Sequence, residues 1–195
     1  MDASLGAVGE PKRKATYDDV LAAPEHQIAE ILDGELFLSP RPASRHALAS
    51  SVLGGHLISS FHGPPGDPAR PGGWWIVFEP ELHLGDDVVV PDLAGWRRER
   101  MPRFPDTPWF DVAPDWLCET LSPSTARIDR SRKLRIYARA GVSHVWLLDP
   151  MARTLEVLAL EGGRWVVADV HDGDAIVHAE PFAARALELA PLWID

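Results

Sequence analysis

The run DWLCETLSPSTARIDRSRKLRIYARAGVSHVWLLD, residues 115–149, decides the fold. Its first seven residues, 115–121, form a short apolar stretch that reads as a strand. Ser122-Pro-Ser-Thr125 then opens a helix, the helical spacing continues to about Ala140, and Gly141 supplies the stop. Residues 144–148 are a second compact apolar strand. A strand, a helix and a buried strand in succession require a sheet with helices packed on its faces.

Working outward, residues 74–84 and 88–96 each read as one strand around a turn at Gly85-Asp86-Asp87, and Pro91 inside the second marks an edge or a bulge. Residues 62–73, HGPPGDPARPGG, read as a loop. Across residues 43–61, Leu48, Val52, Leu53, Leu57, Ile58 and Phe61 fall at helical spacing, with the Gly54-Gly55 pair counting against a helix. Two apolar runs, 28–32 and 35–38, flank Asp33-Gly34, the strongest short signal for a hairpin. Thr16 with Asp19 resembles a capping start for a short helix over 17–23. Residues 1–14 read as a flexible tail before one domain over 15–195. Downstream, 154–160 and 164–170 flank Glu161-Gly-Gly163 as a second hairpin, and a strand or short helix is expected around 182–190.

The composition, 46% hydrophobic and 25% charged over 195 residues, is that of a globular chain able to bury a core. A net charge of −10 and a pI near 5.2 exclude a general nucleic-acid coating protein, whose footprint would be basic. They leave room for a nuclease with one basic face. Cys118 is the single cysteine, so no internal disulfide forms, and its apolar neighbours make it a buried structural thiol. The N-terminus lacks the apolar core of a signal peptide, and no stretch approaches a membrane span. A cytoplasmic location without a membrane partner is therefore expected.

Two carboxylates stand out. Asp92 follows Pro91 at the end of an apolar strand, as a metal ligand or a turn cap. Glu119 lies inside an apolar strand, where a carboxylate must be solvated, paired or metal-bound. The helix that follows carries Asp129, Lys133 and Tyr137 at i, i+4 and i+8, and it can return Lys133 to the carboxylates. Two carboxylates and an ammonium are what metal-assisted phosphodiester hydrolysis needs: hard oxygen ligands for Mg²⁺ (or Mn²⁺) and a cation for the water or the developing charge. Blander roles stand beside these. Glu119 would form a buried ion pair, Lys133 a surface pair with Asp129, and Tyr137 a packing contact with its hydroxyl at the rim. His46 would be solvated near a helix start. Glu79 and Glu81 alternate with apolar residues, as on a solvated sheet face. The histidines show no zinc spacing.

Pro91-Asp92, Cys118-Glu-Thr-Leu-Ser-Pro-Ser-Thr125, Asp129-Arg-Ser-Arg-Lys133 with the helix to Gly141, and His144-Val-Trp-Leu-Leu-Asp-Pro150 closely resemble the Uma family of bacterial proteins classed as restriction endonucleases. Glu30-Ile-Leu-Asp-Gly-Glu35 and His46 look similar to that family's N-terminal half. The resemblance spans roughly residues 16–193, and the serial order of the blocks makes it specific. It implies an α/β fold of the PD-(D/E)XK type: a restriction-endonuclease-like mixed β-sheet flanked by helices, with added N-terminal and C-terminal β-hairpins. In that pattern the lysine stands two residues after the second acid. That position here is Leu121, so the resemblance implies a migrated lysine, Lys133, from the following helix.

The implied activity is a Mg²⁺-dependent DNA endonuclease. Asp92, Glu119 and the Thr120 carbonyl would hold the metal, Glu30 would add a further acid, and Lys133 would assist the attacking water. Arg127, Arg130, Arg135, Tyr137 and His46 would meet the substrate. Because fold does not fix function, the alternative is a non-catalytic module that keeps the fold and binds nucleic acid or protein. Cutting two strands often employs two sites, so a homodimer is one expectation. Trp74, Trp75 and Trp96 would supply either an interface or core.

Overall fold

A computed structural model of the chain describes residues 13–193. Of the expected tail, residues 1–12 lie outside that range, while Arg13 pairs with Asp19 at 2.7 Å. Helix α1 (Tyr17–Leu21) starts where expected, the Thr16 backbone N–H donating to Asp19 Oδ2 at 2.7 Å. Strands β1 (Gln27–Leu32) and β2 (Glu35–Pro40) form the expected hairpin. Its turn residues Asp33 and Gly34 have φ of 53° and 80°, the left-handed pair that a two-residue hairpin demands.

The two long strands expected next are each broken. The first divides into β3 (Trp74–Phe78) and β4 (Leu82–Leu84), the second into β5 (Asp87–Val89) and β6 (Leu93–Arg97). The breaks fall at Glu79-Pro80, where Glu79 has φ 42°, and at Val90-Pro91-Asp92. Proline has no N–H to offer a ladder, so the chain leaves one sheet at each and enters another. Strands β4 and β5 join the hairpin in a four-stranded sheet of order β2-β1-β5-β4. Strands β3 and β6 join β7 (Trp116–Thr120), β8 (His144–Asp149), β9 (Thr154–Glu161) and β10 (Arg164–Asp172) in a six-stranded sheet of order β10-β9-β8-β7-β6-β3.

Only β7 and β8 in that sheet run parallel, so a crossover must link them. It consists of α3 (Ala126–Ile128), a π-helical turn over Asp129–Lys133, and α4 (Leu134–Ala140). Gly141, at φ 77°, ends it as expected. The sequence pointed to one uninterrupted helix, and the π turn is a departure from it.

Helix α2 (Ser44–Phe61) packs on one face of the large sheet and α4 on the other. Alternation along β7 sorts the two layers: Trp116 and Cys118 face α2, while Leu117 and Leu121 lie with Ile136 and Tyr137 of α4. Gly54 strengthens the α2 packing despite its low helix propensity. A Cβ there would stand 2.1 Å from the Phe78 ring, so only glycine lets the helix approach that closely.

The C-terminal segment holds a strand pair, β11 (Ile176–Val177) with β12 (Leu187–Glu188), and a 3₁₀ turn over Ala190–Leu192. Its buried Phe182, Leu187, Leu192 and Trp193 close the α2 side of the core. Trp74 and Trp96 are 4% and 0% exposed, which makes them core and not interface; Trp75 is half-buried. Among the described residues no helix is long and apolar enough to cross a membrane.

Candidate active site

Strand alternation sends Glu119 to the α4 side of the large sheet, where it is 3% exposed. A bare carboxylate at that depth would cost several kcal/mol, so it needs partners. It has two on one oxygen. Lys133 Nζ lies 2.8 Å from Glu119 Oε1, and the Tyr137 hydroxyl donates to the same atom. Lys133 also meets Glu30 Oε1 at 3.0 Å and Asp129 Oδ1 at 3.8 Å. Glu30 comes from β1 in the small sheet, and its Oε1 accepts the Val90 N–H at 2.8 Å. The π turn brings Asp129 and Lys133 inward together, both under 5% exposed. The surface pair weighed for these two residues is thus a buried one.

Asp92 follows Pro91 in the crossing between the sheets. Its Oδ2 accepts the Thr120 N–H at 2.7 Å, and its Oδ1 bonds to His46 Nε2 from the first turn of α2. The Thr120 side chain points to the α2 face, where its Oγ1 meets Ser50 Oγ at 2.9 Å.

One ammonium surrounded by three carboxylates sets the electrostatics. Burial opposes the Lys133 charge, but Glu119 and Glu30 outweigh it and hold the lysine well above its ordinary value. Burial pushes the Glu119 carboxyl up while Lys133 pulls it down, and the nearby acids tip the balance upward. The lysine keeps its proton, and burial first, with Asp129, Asp92 and Glu30 behind it, holds Glu119 up. Burial raises Asp129 for the same reason. Burial also raises the Tyr137 hydroxyl, which therefore remains a donor, and pushes the Cys118 thiol up, in keeping with a structural role.

A cavity of about 290 Å³ opens onto this set, lined by Glu30, Asp92, Glu119, Thr120, Asp129 and Lys133 among others. Among the described residues no three His, Cys, Asp or Glu side chains converge as a ready metal cage. Mg²⁺ does not require one, since it is usually held by one or two carboxylates with water and substrate oxygens. The donors suit it. The bonds to Glu30 and Glu119 all fall on Oε1, leaving the other oxygen of each for a cation. Negative charge also exceeds positive around the cavity.

The structure therefore brings Asp92, Glu119, Lys133, Glu30, Thr120 and His46 to one place. It separates others from it. Tyr137 is fully buried behind Glu119, not at the rim, because that face of α4 packs against the sheet, and its hydroxyl donates to Glu119 there. Arg130 pairs with Glu156, Arg135 lies 3.7 Å from Asp33, and Arg127 is exposed; none of the three lines the cavity. Their neighbours Arg132 and Arg139 are likewise paired, with Glu35, Asp33 and Asp87. Glu81 accepts hydrogen bonds from Tyr17 and His83 in place of solvent. Asp129 and Arg41 of the lining did not stand out as site residues. The i, i+4 spacing from Asp129 to Lys133 was the available signal for the first.

The sequence profile of the Uma2 family, described as "Putative restriction endonuclease", matches residues 15–191. The chain belongs to the Uma2 family. Among solved structures, this Uma2 chain is similar to a protein of Anabaena variabilis described as a putative nuclease belonging to DUF820. The TM-score is 0.73 at 25% sequence identity, covering 91% of this chain and 97% of the other. No curated protein matches it. The Uma2 chain thus has the expected restriction-endonuclease-like fold, a mixed sheet flanked by helices with a hairpin added at each end.

Proposed function

We propose that this Uma2 chain is a nuclease that hydrolyses phosphodiester bonds in DNA, with Mg²⁺ or Mn²⁺ held by Asp92 and Glu119. The Thr120 carbonyl and the remaining oxygen of Glu30 are the further donors. The reading rests above all on one observation: Lys133, delivered by a helix, sits 2.8 Å from Glu119 on the neighbouring strand. That is an acid–lysine pair assembled without the usual spacing along one strand. The bound cation would polarise the phosphoryl group and lower the pKa of a water.

The chain's own groups do the rest. Tyr137 and Lys133 fix the orientation of Glu119, and the Thr120 N–H and His46 fix that of Asp92. Lys133, kept protonated by Glu119 and Glu30, presents N–H to the attacking oxygen or the developing negative charge.

The test is nicking of labelled DNA by the purified chain with Mg²⁺ or Mn²⁺, beside calorimetric titration of the metal. Activity in the parent that Asp92→Asn, Glu119→Gln and Lys133→Met each remove is the expected result. A folded, metal-binding parent inert on single-stranded, nicked and duplex DNA would refute the reading.

A further inference from the structure

Resting on the nuclease reading above, we infer that the site takes an unpaired DNA strand, a single-stranded end or flap, and not an intact duplex. Depth is the first argument. Glu119 and Lys133 are each 3% exposed and Glu30 is 5% exposed, so the scissile phosphate must enter the fold to reach them. The space available, about 290 Å³, lies at the small end of small-molecule pockets, which run from about 300 to 1,000 Å³. It accommodates a piece of one strand. A duplex would have to lay a footprint of about 1,000–2,500 Å² on the surface around the cavity while its scissile phosphate reached down to the buried groups.

The rims carry prolines. One is the Ser39–Ala43 connection with Pro40 and Pro42, and the other is Ser122–Thr125 with Pro123. Proline fixes φ in both. In the second, Ser122 Oγ meets Ser124 Oγ at 3.0 Å and Thr125 Oγ1 at 2.9 Å.

Charge is the second argument, independent of the first. A duplex binder typically neutralises about 6–10 phosphates with lysine and arginine. Here the basic helix pairs Arg130, Arg132, Arg135 and Arg139 with Glu156, Glu35, Asp33 and Asp87 and leaves Arg127 exposed but outside the cavity lining, in a chain of net charge −10. Arg41 lines the mouth, itself 3.6 Å from Glu79. What the cavity offers instead is apolar: Ile28, Phe37, Ile128 and the prolines, with the Arg132 guanidinium 4.8 Å from the Phe37 ring centroid. Single-strand sites add stacking of bases on aromatic side chains to their phosphate contacts, and Phe37 is the aromatic side chain in this lining.

The experiment compares a labelled single-stranded 20-mer, a fork carrying the same strand as one arm, and a dumbbell duplex closed at both ends. Binding is read by anisotropy in EDTA, and cleavage with Mg²⁺ or Mn²⁺. The expected result is single strand and fork bound on the order of tenfold more tightly than the dumbbell, with cuts confined to unpaired DNA. Phe37→Leu, which keeps the apolar bulk but not the ring face, should weaken single-strand binding by about fivefold or more. A dumbbell bound or cut as well as the single strand overturns the inference and leaves the nuclease reading intact. Preferential single-strand binding without any cleavage upholds the strand preference and overturns hydrolysis. Neither binding nor cleavage of any of the three overturns both.

Discussion

Lys133→Met would take one positive charge out of a buried set of acids while keeping most of the side chain's apolar stem. Two carboxylate oxygens lie 2.8 and 3.0 Å from the ammonium. At an effective dielectric of about 20, each such contact attracts by roughly 5–6 kcal/mol. The cost of desolvating the ammonium offsets much of that sum. The methionine variant recovers that desolvation cost but leaves Glu30, Glu119 and Asp129 without their counter-charge. Removing one partner of a buried ion pair costs about 3–5 kcal/mol, and that is the destabilisation expected here. It is a large part of a typical total of about 5–15 kcal/mol. Urea unfolding in EDTA, followed by the fluorescence of the eight tryptophans, measures it. Adding Glu119→Gln to Lys133→Met should restore more than about 1 kcal/mol, because a neutral amide needs no counter-charge. A single-variant loss below about 1 kcal/mol, the range of an exposed pair, would refute the reasoning. So would a double variant that loses the full sum of the two singles.

Tyr137→Phe removes the second donor to Glu119 Oε1 and should cost about 1.5–3 kcal/mol of stability, with weaker Mn²⁺ binding by calorimetry; unchanged metal affinity would show that Tyr137 does not orient Glu119. Gly55→Ala should raise stability by about 0.5–1 kcal/mol, since a Cβ there meets nothing within 4 Å in the middle of α2. Gly54→Ala, facing the Phe78 ring, should lower it, and thermal melts giving both variants the same sign would contradict the packing described. His144 is held below its ordinary value of 6.5, by burial first, with Arg97 in the same sense and Glu180 and Asp115 opposing. The unfolded chain therefore takes up this proton before the folded one does, and stability should fall as pH drops below 6.5 toward the folded value. Unfolding curves between pH 7 and 5 should be less steeply pH-dependent in His144→Gln, and identical slopes would exclude the contribution.

What could be read from the sequence was whatever depends on near neighbours. Asp33-Gly34 and Gly162-Gly163 announce their hairpins because a two-residue turn needs left-handed φ at both positions. Glu119 announces itself because a carboxylate in an apolar strand is costly wherever it lies. Long-range consequences were hidden. Pro80 and Pro91 were visible, but nothing local says that each strand half joins a different sheet. The π turn changes the hydrogen-bond register of Asp129–Lys133 without altering the apolar spacing that marks a helix. The arginines looked available for phosphate because their partners, Glu35, Asp33 and Glu156, are remote in the chain. Glu30 was given a site role through family likeness, although it is the one charged residue in the apolar run 28–32, where a carboxylate is costly for the same reason as at Glu119. The C-terminal segment carries little pattern, and burial of Phe182 and Trp193 holds it.

The division of the strands at their prolines has a mechanical consequence. Glu30 belongs to the small sheet, Glu119 and Thr120 to the large one, and Asp92 to the connection between them. The cavity is therefore a seam, and the spacing of its acids is set by how the two sheets sit against each other. A ligand bound across the seam acts as a rivet. Its affinity becomes cohesion between the sheets, worth about 2.7 kcal/mol at a hundred times its Kd.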